Sequence, residues 1–261
     1  MVSLFILMLV VGVIVGLMNA ALGIGGGILM VPALLEFVPG MAPHTAKGTS
    51  LFIIIFVAGI NAWRQNRGRP VPWDSAGLLA AGSIVGGYSG AWFTDRLSGE
   101  TVIWIFVGLL GLIVLRLLFS ERRAEFVGTA WQRGAMSVGI GLATGVTSGM
   151  TGIGGGLVLV PLALLTRIAT NERVTGLSNL VMVATSVAAV AVHLRAAPEV
   201  NLPLTVGQVS LVVAPWIFLG AQAGSPFGRY INTRLSYTQR RAALAAVIVV
   251  VGARMVWRAL A

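Results

Sequence analysis

The chain has 261 residues, of which 57% are apolar and 10% charged, and its formal net charge is +10. Soluble domains carry roughly 25% charged residues, so most of this surface does not face water. The basic excess sits in short clusters between apolar runs, the pattern that sets membrane orientation rather than nucleic-acid binding, and the lack of cysteine excludes disulfides and zinc–thiolate sites.

In chain order, apolar stretches cover residues 2–22, 28–38, 48–63, 75–93 and 102–119. A polar stretch at 120–133 follows, and the pattern resumes at 134–150, 157–165, 176–194, 206–223 and 242–257. No charge precedes Glu36. The first stretch therefore lacks the basic start of a cleavable signal peptide and is predicted to span the membrane in the mature protein. Several stretches approach the roughly 17–25 residues that a spanning helix needs. Those at 28–38 and 157–165 are too short, and they occupy matching places in the two halves.

The halves are related. Gly23-Ile-Gly-Gly-Gly27 with Val31-Pro32 recurs in the second half as Gly152-Ile-Gly-Gly-Gly156 with Val160-Pro161, with seven of ten positions identical between Gly23 and Pro32. Gly86–Gly90 matches Gly220–Gly224. The expected architecture is all-α, a polytopic transmembrane helical bundle in one domain, 1–261. Repeat one covers 1–119, a connecting loop 120–133 and repeat two 134–261. With five segments per half, the short one being a separate crossing or the second arm of a hairpin, the loop cations divide 12:4. Arg64, Arg67, Arg69, Arg122, Arg123, Arg133, Arg167, Arg173, Arg229, Arg234, Arg240 and Arg241 share one side, against Lys47, Arg96, Arg195 and Arg258. Counting the first two segments of each half as one crossing gives 8:8. The positive-inside rule favours the first arrangement. Five is odd, so the repeats are predicted to be inverted and both termini to face away from the cytoplasm.

The glycine runs are the sharpest chemical feature. Each glycine disfavours continuous helix by about 1 kcal/mol relative to alanine, so new helices are predicted to begin at about Gly26 and Gly155. A helix N-terminus leaves N–H groups without intrahelical partners and carries about half a positive charge. Two such ends meeting at the membrane midplane would bind a small anion, with Gly23, Gly25, Gly26 and Gly27 on one side and Gly152, Gly154, Gly155 and Gly156 on the other. Discontinuous helices at matching places in two halves point to a transporter's substrate site; the competing explanation is close helix packing by small residues. The run is not a dinucleotide fingerprint, because Ile28 stands where its third glycine would fall.

Asn19, Thr49, Ser50, Ser148, Thr151, Ser178 and Asn179 are candidate second contacts, or ordinary interhelical hydrogen bonders. Lys47, the sole lysine, is a candidate anion contact or an interfacial cation whose ammonium reaches for water. Arg116 and Arg254 read as snorkelling side chains. Trp63, Trp73, Trp104 and Trp257 read as interfacial anchors. His44 and His193 lie near segment ends, in surface or capping roles or in proton coupling. Neither a metal nor any other cofactor is implied.

The paired Gly-Ile-Gly-Gly-Gly-x3-Val-Pro, the Thr49-Ser50 that follows and the Gly-rich fourth segment resemble the sulfite exporter TauE/SafE family, also called the 4-toluene sulfonate uptake permease (TSUP) family. The second half departs from the pattern with Leu177-Ser178-Asn179. The resemblance implies a secondary transporter, not an enzyme, for sulfite, sulfoacetate or other organosulfonates, with export the preferred direction. It also implies a multi-pass protein of the bacterial inner membrane. Its partners would be the anionic sulfur substrate, the bilayer and, as an open option, a second copy in a homodimer. The alternatives are an anion channel or a carrier of another small carboxylate or oxyanion. A membrane enzyme lacks any acid–base pair within the apolar runs, and a structural assembly factor would need no duplicated break.

Overall fold

The computed structural model describes residues 2–67, 73–98, 100–101, 103–105, 107–108, 111, 115, 130–170, 172–199 and 203–260. Much of the predicted stretch 102–119, with Arg116, and most of the connecting loop lie outside the described residues. Nine helices are described: α1 Val2–Leu22, α2 Gly27–Phe37, α3 Pro43–Asn66, α4 Trp73–Thr94, α5 Ala130–Thr151, α6 Gly156–Leu165, α7 Val174–His193, α8 Ala214–Asn232 and α9 Tyr237–Leu260. A two-stranded antiparallel hairpin, β1 Thr205–Val206 with β2 Val209–Ser210, joins α7 to α8. Among the described residues, three helices are long and apolar enough to cross a membrane: Ser3–Leu22 of α1, α3 and α7.

Small residues set the packing. A Cβ added at Gly12 or Gly16 of α1 would collide with the carbonyls of Ile217 or Ala221 on α8, and one at Gly220, Gly224 or Gly228 with those of Leu9, Val13 or Leu17. The second contact repeats the first. Gly82, Gly86 and Gly90 of α4 meet the Val138, Leu142 and Val146 carbonyls of α5, and Gly141, Gly145 and Gly149 meet those of Leu79, Ser83 and Gly87. Glycine every fourth residue lets two helix backbones touch, the usual association mode where water supplies no hydrophobic drive. Both registers rise together along their pairs, so α1 runs parallel to α8 and α4 parallel to α5. Each half's first helix thus packs against the other half's glycine-rich helix.

Between these pairs lie α3 and α7, which are antiparallel. The His193 Cβ sits by Gly48 at one end, and Asn66 Nδ2 donates to Gly176 O at 3.2 Å at the other. The short helices are the returning arms of hairpins. A Cβ at Gly26 would stand 2.5 Å from Val15 Cγ1, and one at Gly155 would stand 2.6 Å from Thr144 Cγ2. From those levels α2 and α6 double back along α1 and α5. Their 11 and 10 residues give about 15 Å at 1.5 Å per residue, half a hydrocarbon core. Of the two options for the short segments, the structure selects the hairpin.

The predicted stretches 2–22, 48–63, 75–93, 134–150, 157–165 and 242–257 each fall on one helix, and 28–38 and 176–194 do so up to their last residues, the caps Val38 and Leu194. The stretch 206–223 does not. Residues 206–213 form the second half of the β-hairpin and a turn, and the helix runs instead from Ala214 to Asn232. Trp63, Trp73, Trp104 and Trp257 are exposed, as interfacial anchors would be. Arg254 does not simply snorkel, because its guanidinium pairs with Glu36.

Candidate functional site

Both chain breaks have the same backbone. Gly23, Gly25 and Gly26 have φ of 75°, 85° and 69°, and Gly152, Gly154 and Gly155 have 77°, 91° and 83°. L-residues with a Cβ rarely adopt this left-handed region, so glycine is demanded by conformation as well as by space. Each break starts when the first glycine N–H closes the preceding helix, Gly23 on Asn19 O at 2.8 Å and Gly152 on Ser148 O at 2.7 Å. It ends at a left-handed cap, Gly26 or Gly155, whose carbonyl accepts the first two bonds of the next helix at 3.0 Å each.

The two breaks cross each other in opposite directions. Gly27 lies over Gly152 O, 2.5 Å from the place its Cβ would take, Gly25 lies over Ile153 O at 2.6 Å, and Gly156 meets Gly23 O. Packing therefore accounts for the missing Cβ at these three positions. The same crossing brings two helix N-termini together. Among the described hydrogen bonds, none is donated by the backbone N–H of Gly26, Gly27 or Ile28, nor by that of Gly155, Gly156 or Leu157. These are the donors that a helix start leaves over, now clustered where both positive dipole ends converge.

The polar residues around the crossing divide by role. Ser50 Oγ donates to Gly152 O at 2.8 Å and Ser178 Oγ to Gly23 O at 2.7 Å, so each half's serine holds the other half's break. Asn19 Oδ1 accepts from Gly25 N at 3.0 Å, and its buried Nδ2 has no partner among the described residues. Ser148, at the matching place in the second half, has a buried hydroxyl without a partner among the described residues, as does Thr144 one turn before it. Asn179 Nδ2 donates to Thr175 O at 2.9 Å while its Oδ1 is unpartnered. Thr151 Oγ1 donates back to Thr147 O at 2.6 Å and accepts weakly from Ile153 N at 3.4 Å. Thr49 Oγ1 accepts from Ser210 N at 2.9 Å and pins the hairpin.

Lys47 is not an interfacial cation. It is 1% exposed, its backbone and first side-chain carbons press on Gly152, and its ammonium donates to Thr94 Oγ1 at 3.1 Å. Around it lies a buried network that the sequence did not reveal. Gln208, on the hairpin turn, donates from Nε2 to Asp95 Oδ1 at 2.6 Å, and its Oε1 lies 2.7 Å from His193 Nδ1. His44 Nε2 lies 3.0 Å from Leu97 O and 3.6 Å from Glu199 Oε1. Burial pushes the Glu199 carboxyl above its ordinary range, with Lys47 opposing the shift. The histidines are thus buried rather than surface groups.

A second buried cation flanks the other break. Arg240, 1% exposed, donates through Nη1 to Ala21 O at 2.8 Å and to Thr175 Oγ1 at 3.0 Å, and through Nη2 to Asn232 Oδ1 at 2.6 Å. Thr175 lies against Gly23 as Lys47 lies against Gly152, so the two residues hold corresponding places in the two halves. A threonine where the other half has lysine is the one sequence clue that a cation comes from elsewhere. Among the described residues, no cluster of three or more His, Asp or Glu could hold a metal ion.

Residues 8–255 match the family described as Sulfite exporter TauE/SafE. The chain belongs to that family. Its relatives include a probable membrane transporter protein of Xylella fastidiosa, 28% identical over 95% of this chain and 93% of its own length. Others bearing that description are from Methanocaldococcus jannaschii, 24% identical over 94% and 93%, and Bacillus subtilis, 21% identical over 97% of each chain. No solved structure gives a significant match. A TauE/SafE member is a membrane protein, which agrees with the apolar helices and exposed tryptophans described above.

Proposed function

We propose that this chain is a secondary transporter of small anionic sulfur compounds, such as sulfite, sulfoacetate or another organosulfonate, across the bacterial inner membrane. Export is the favoured direction, in keeping with the family's description. The observation that carries the reading is the crossing itself. Two helix N-termini lie side by side amid buried groups with spare hydrogen-bonding capacity, Asn19 Nδ2 and Ser148 Oγ. Backbone N–H groups and neutral side chains would hold an oxyanion by charge-assisted hydrogen bonds, with buried Lys47 and Arg240 behind the two breaks adding positive potential. The higher desolvation cost of a dianion would favour a singly charged head group over sulfate.

The arrangement of α3 and α7 supports inverted repeats. They hold equivalent places in the two halves and run in opposite directions, so a two-fold relation in the membrane plane would exchange Lys47 with Thr175 and Ser50 with Ser178. Alternating access would then rock the halves about the crossing. A channel would need a continuous pathway, whereas the contacts of Gly25, Gly27 and Gly156 close the centre. Purified protein in liposomes, loaded with unlabelled anion and supplied with labelled sulfite, sulfoacetate or sulfate, tests the reading. Saturable exchange of the first two supports it; flux that rises linearly with concentration, without exchange, supports a channel instead.

A further inference from the structure

We propose that Nε2 of His193 is a proton-binding site, and that anion movement through this chain is coupled to a proton taken up there. The inference rests on the anion-transport reading above and adds the coupling ion. It starts from a chain of forced hydrogen-bond choices. The Asp95 carboxylate accepts, so the Gln208 atom 2.6 Å from it is the amide nitrogen. That turns Oε1 of Gln208 toward His193 Nδ1 at 2.7 Å, and an amide oxygen only accepts. Nδ1 therefore carries the hydrogen, and Nε2 of the neutral ring is a bare lone pair. His193 is fully buried and, among the described residues, its Nε2 has no hydrogen-bond partner. Buried polar atoms normally have one, so a ring held in this tautomer keeps an open acceptor that a proton can occupy once the surrounding charge permits it.

The surroundings suit a proton that enters with an anion. Lys47 and His44 from α3, Asp95 at the end of α4 and Gln208 on the hairpin are the charged and titratable or polar groups that act on the ring. With Lys47 charged, a proton on His193 alone would repel it, and a bound anion removes that penalty. Uptake of one proton by the Nε2 lone pair offsets one negative charge of the arriving anion. No other bond is made or broken, and the proton returns to water on the opposite side with the anion. His44 extends the path outward. Its Nε2–H faces the Leu97 carbonyl, its buried Nδ1 is unpartnered, and the partly exposed Glu199 carboxylate lies 3.6 Å from the ring.

The chain has two histidines, so nitrogen NMR of the 15N-histidine-labelled protein in lipid resolves both. The expected neutral spectrum shows opposite tautomers, Nδ1–H for His193 and Nε2–H for His44. Added sulfoacetate should raise the pH at which His193 becomes doubly protonated. A neutral Nε2–H form at His193 overturns the proposal. In liposomes enclosing a pH dye, inward sulfoacetate flux should acidify the lumen, because the ionised anion brings no proton of its own near pH 8. His193→Gln should lower the proton-to-anion ratio at least tenfold. Net sulfoacetate uptake by wild type into anion-free liposomes without lumenal acidification, or an unchanged ratio in the variant, sinks the coupling alone. No exchange by wild type at equal pH sinks the anion-transport reading instead. The NMR measurement needs no variant and decides the matter if His193→Gln fails to fold.

Discussion

The hydroxyl of Ser178 donates to the carbonyl oxygen of Gly23 at 2.7 Å, across 155 residues of chain. Ser50 repeats the bond to Gly152 at 2.8 Å. Each break is thereby fixed by the half to which it does not belong, and the crossing is a joint structure of both. Removing either hydroxyl leaves a buried carbonyl short of a donor. Ser178→Ala and Ser50→Ala should each destabilise the protein by on the order of 1 kcal/mol, as side-chain hydrogen bonds between membrane helices do, and should weaken anion affinity by loosening the break. Thermal unfolding in detergent with parallel binding assays checks this. Unaltered stability and affinity in both variants would remove the serines from the account.

Gly155→Val should abolish transport while leaving membrane insertion largely intact. Its φ of 83° strains any branched residue, and its Cβ would stand 2.6 Å from Thr144 Cγ2. Gly26→Val should behave alike. Gly77→Ala is the control. It lies within α4, a Cβ there meets nothing within 4 Å, and helix propensity favours alanine by roughly 0.8–1 kcal/mol. Normal transport by a well-expressed Gly155→Val protein would separate the break from the function.

Burial changes what Lys47 is expected to do. An exposed cation would speed anion arrival, and salt would screen the effect. At 1% exposure screening is slight, so Lys47→Met should reduce anion affinity by a similar factor at low and high ionic strength. Loss of the effect at high salt would mean that the lysine steers from the surface and that the buried arrangement is not the one that binds.

Orientation can be read by labelling single introduced cysteines, since the chain has none. Arg64 bonds Gln222 of α8, and Arg240 of α9 bonds Ala21 and Asn232, so the α3 end, the α8 end and the α9 start share one face. That face should be cytoplasmic, and both termini periplasmic. A periplasmic label at position 64, or cytoplasmic termini, would contradict the five-plus-five inverted arrangement.

Much of this architecture was legible because membrane helices declare themselves by length, and because the repeat of Gly23–Pro32 marked both breaks. The short helices start at Gly27 and Gly156, one position beyond the expected Gly26 and Gly155. The stretch 206–223 misled because Val206, Val209, Leu211 and Val212 are apolar enough for a span. A short apolar run does not distinguish strand from helix. What makes it a hairpin is long-range: Gln208 N donates to His193 O at 2.8 Å, and Ser210 N to Thr49 Oγ1. The same holds for Lys47 and Arg240. Their buried acceptors, Thr94, Ala21 and Thr175, are 47 to 219 residues away, and no local pattern records them.

The central claim is that an oxyanion binds where the two breaks cross. The most direct measurement is exchange of labelled sulfite by the purified protein in liposomes, under equal pH and salt on both sides, comparing wild type with Gly26→Val and Gly77→Ala. Saturable exchange that unlabelled sulfoacetate suppresses strongly and sulfate weakly, that Gly77→Ala retains and that Gly26→Val loses, is the predicted result. Exchange that survives in Gly26→Val, or sulfate suppressing it as well as sulfoacetate does, would contradict a site built from those helix ends.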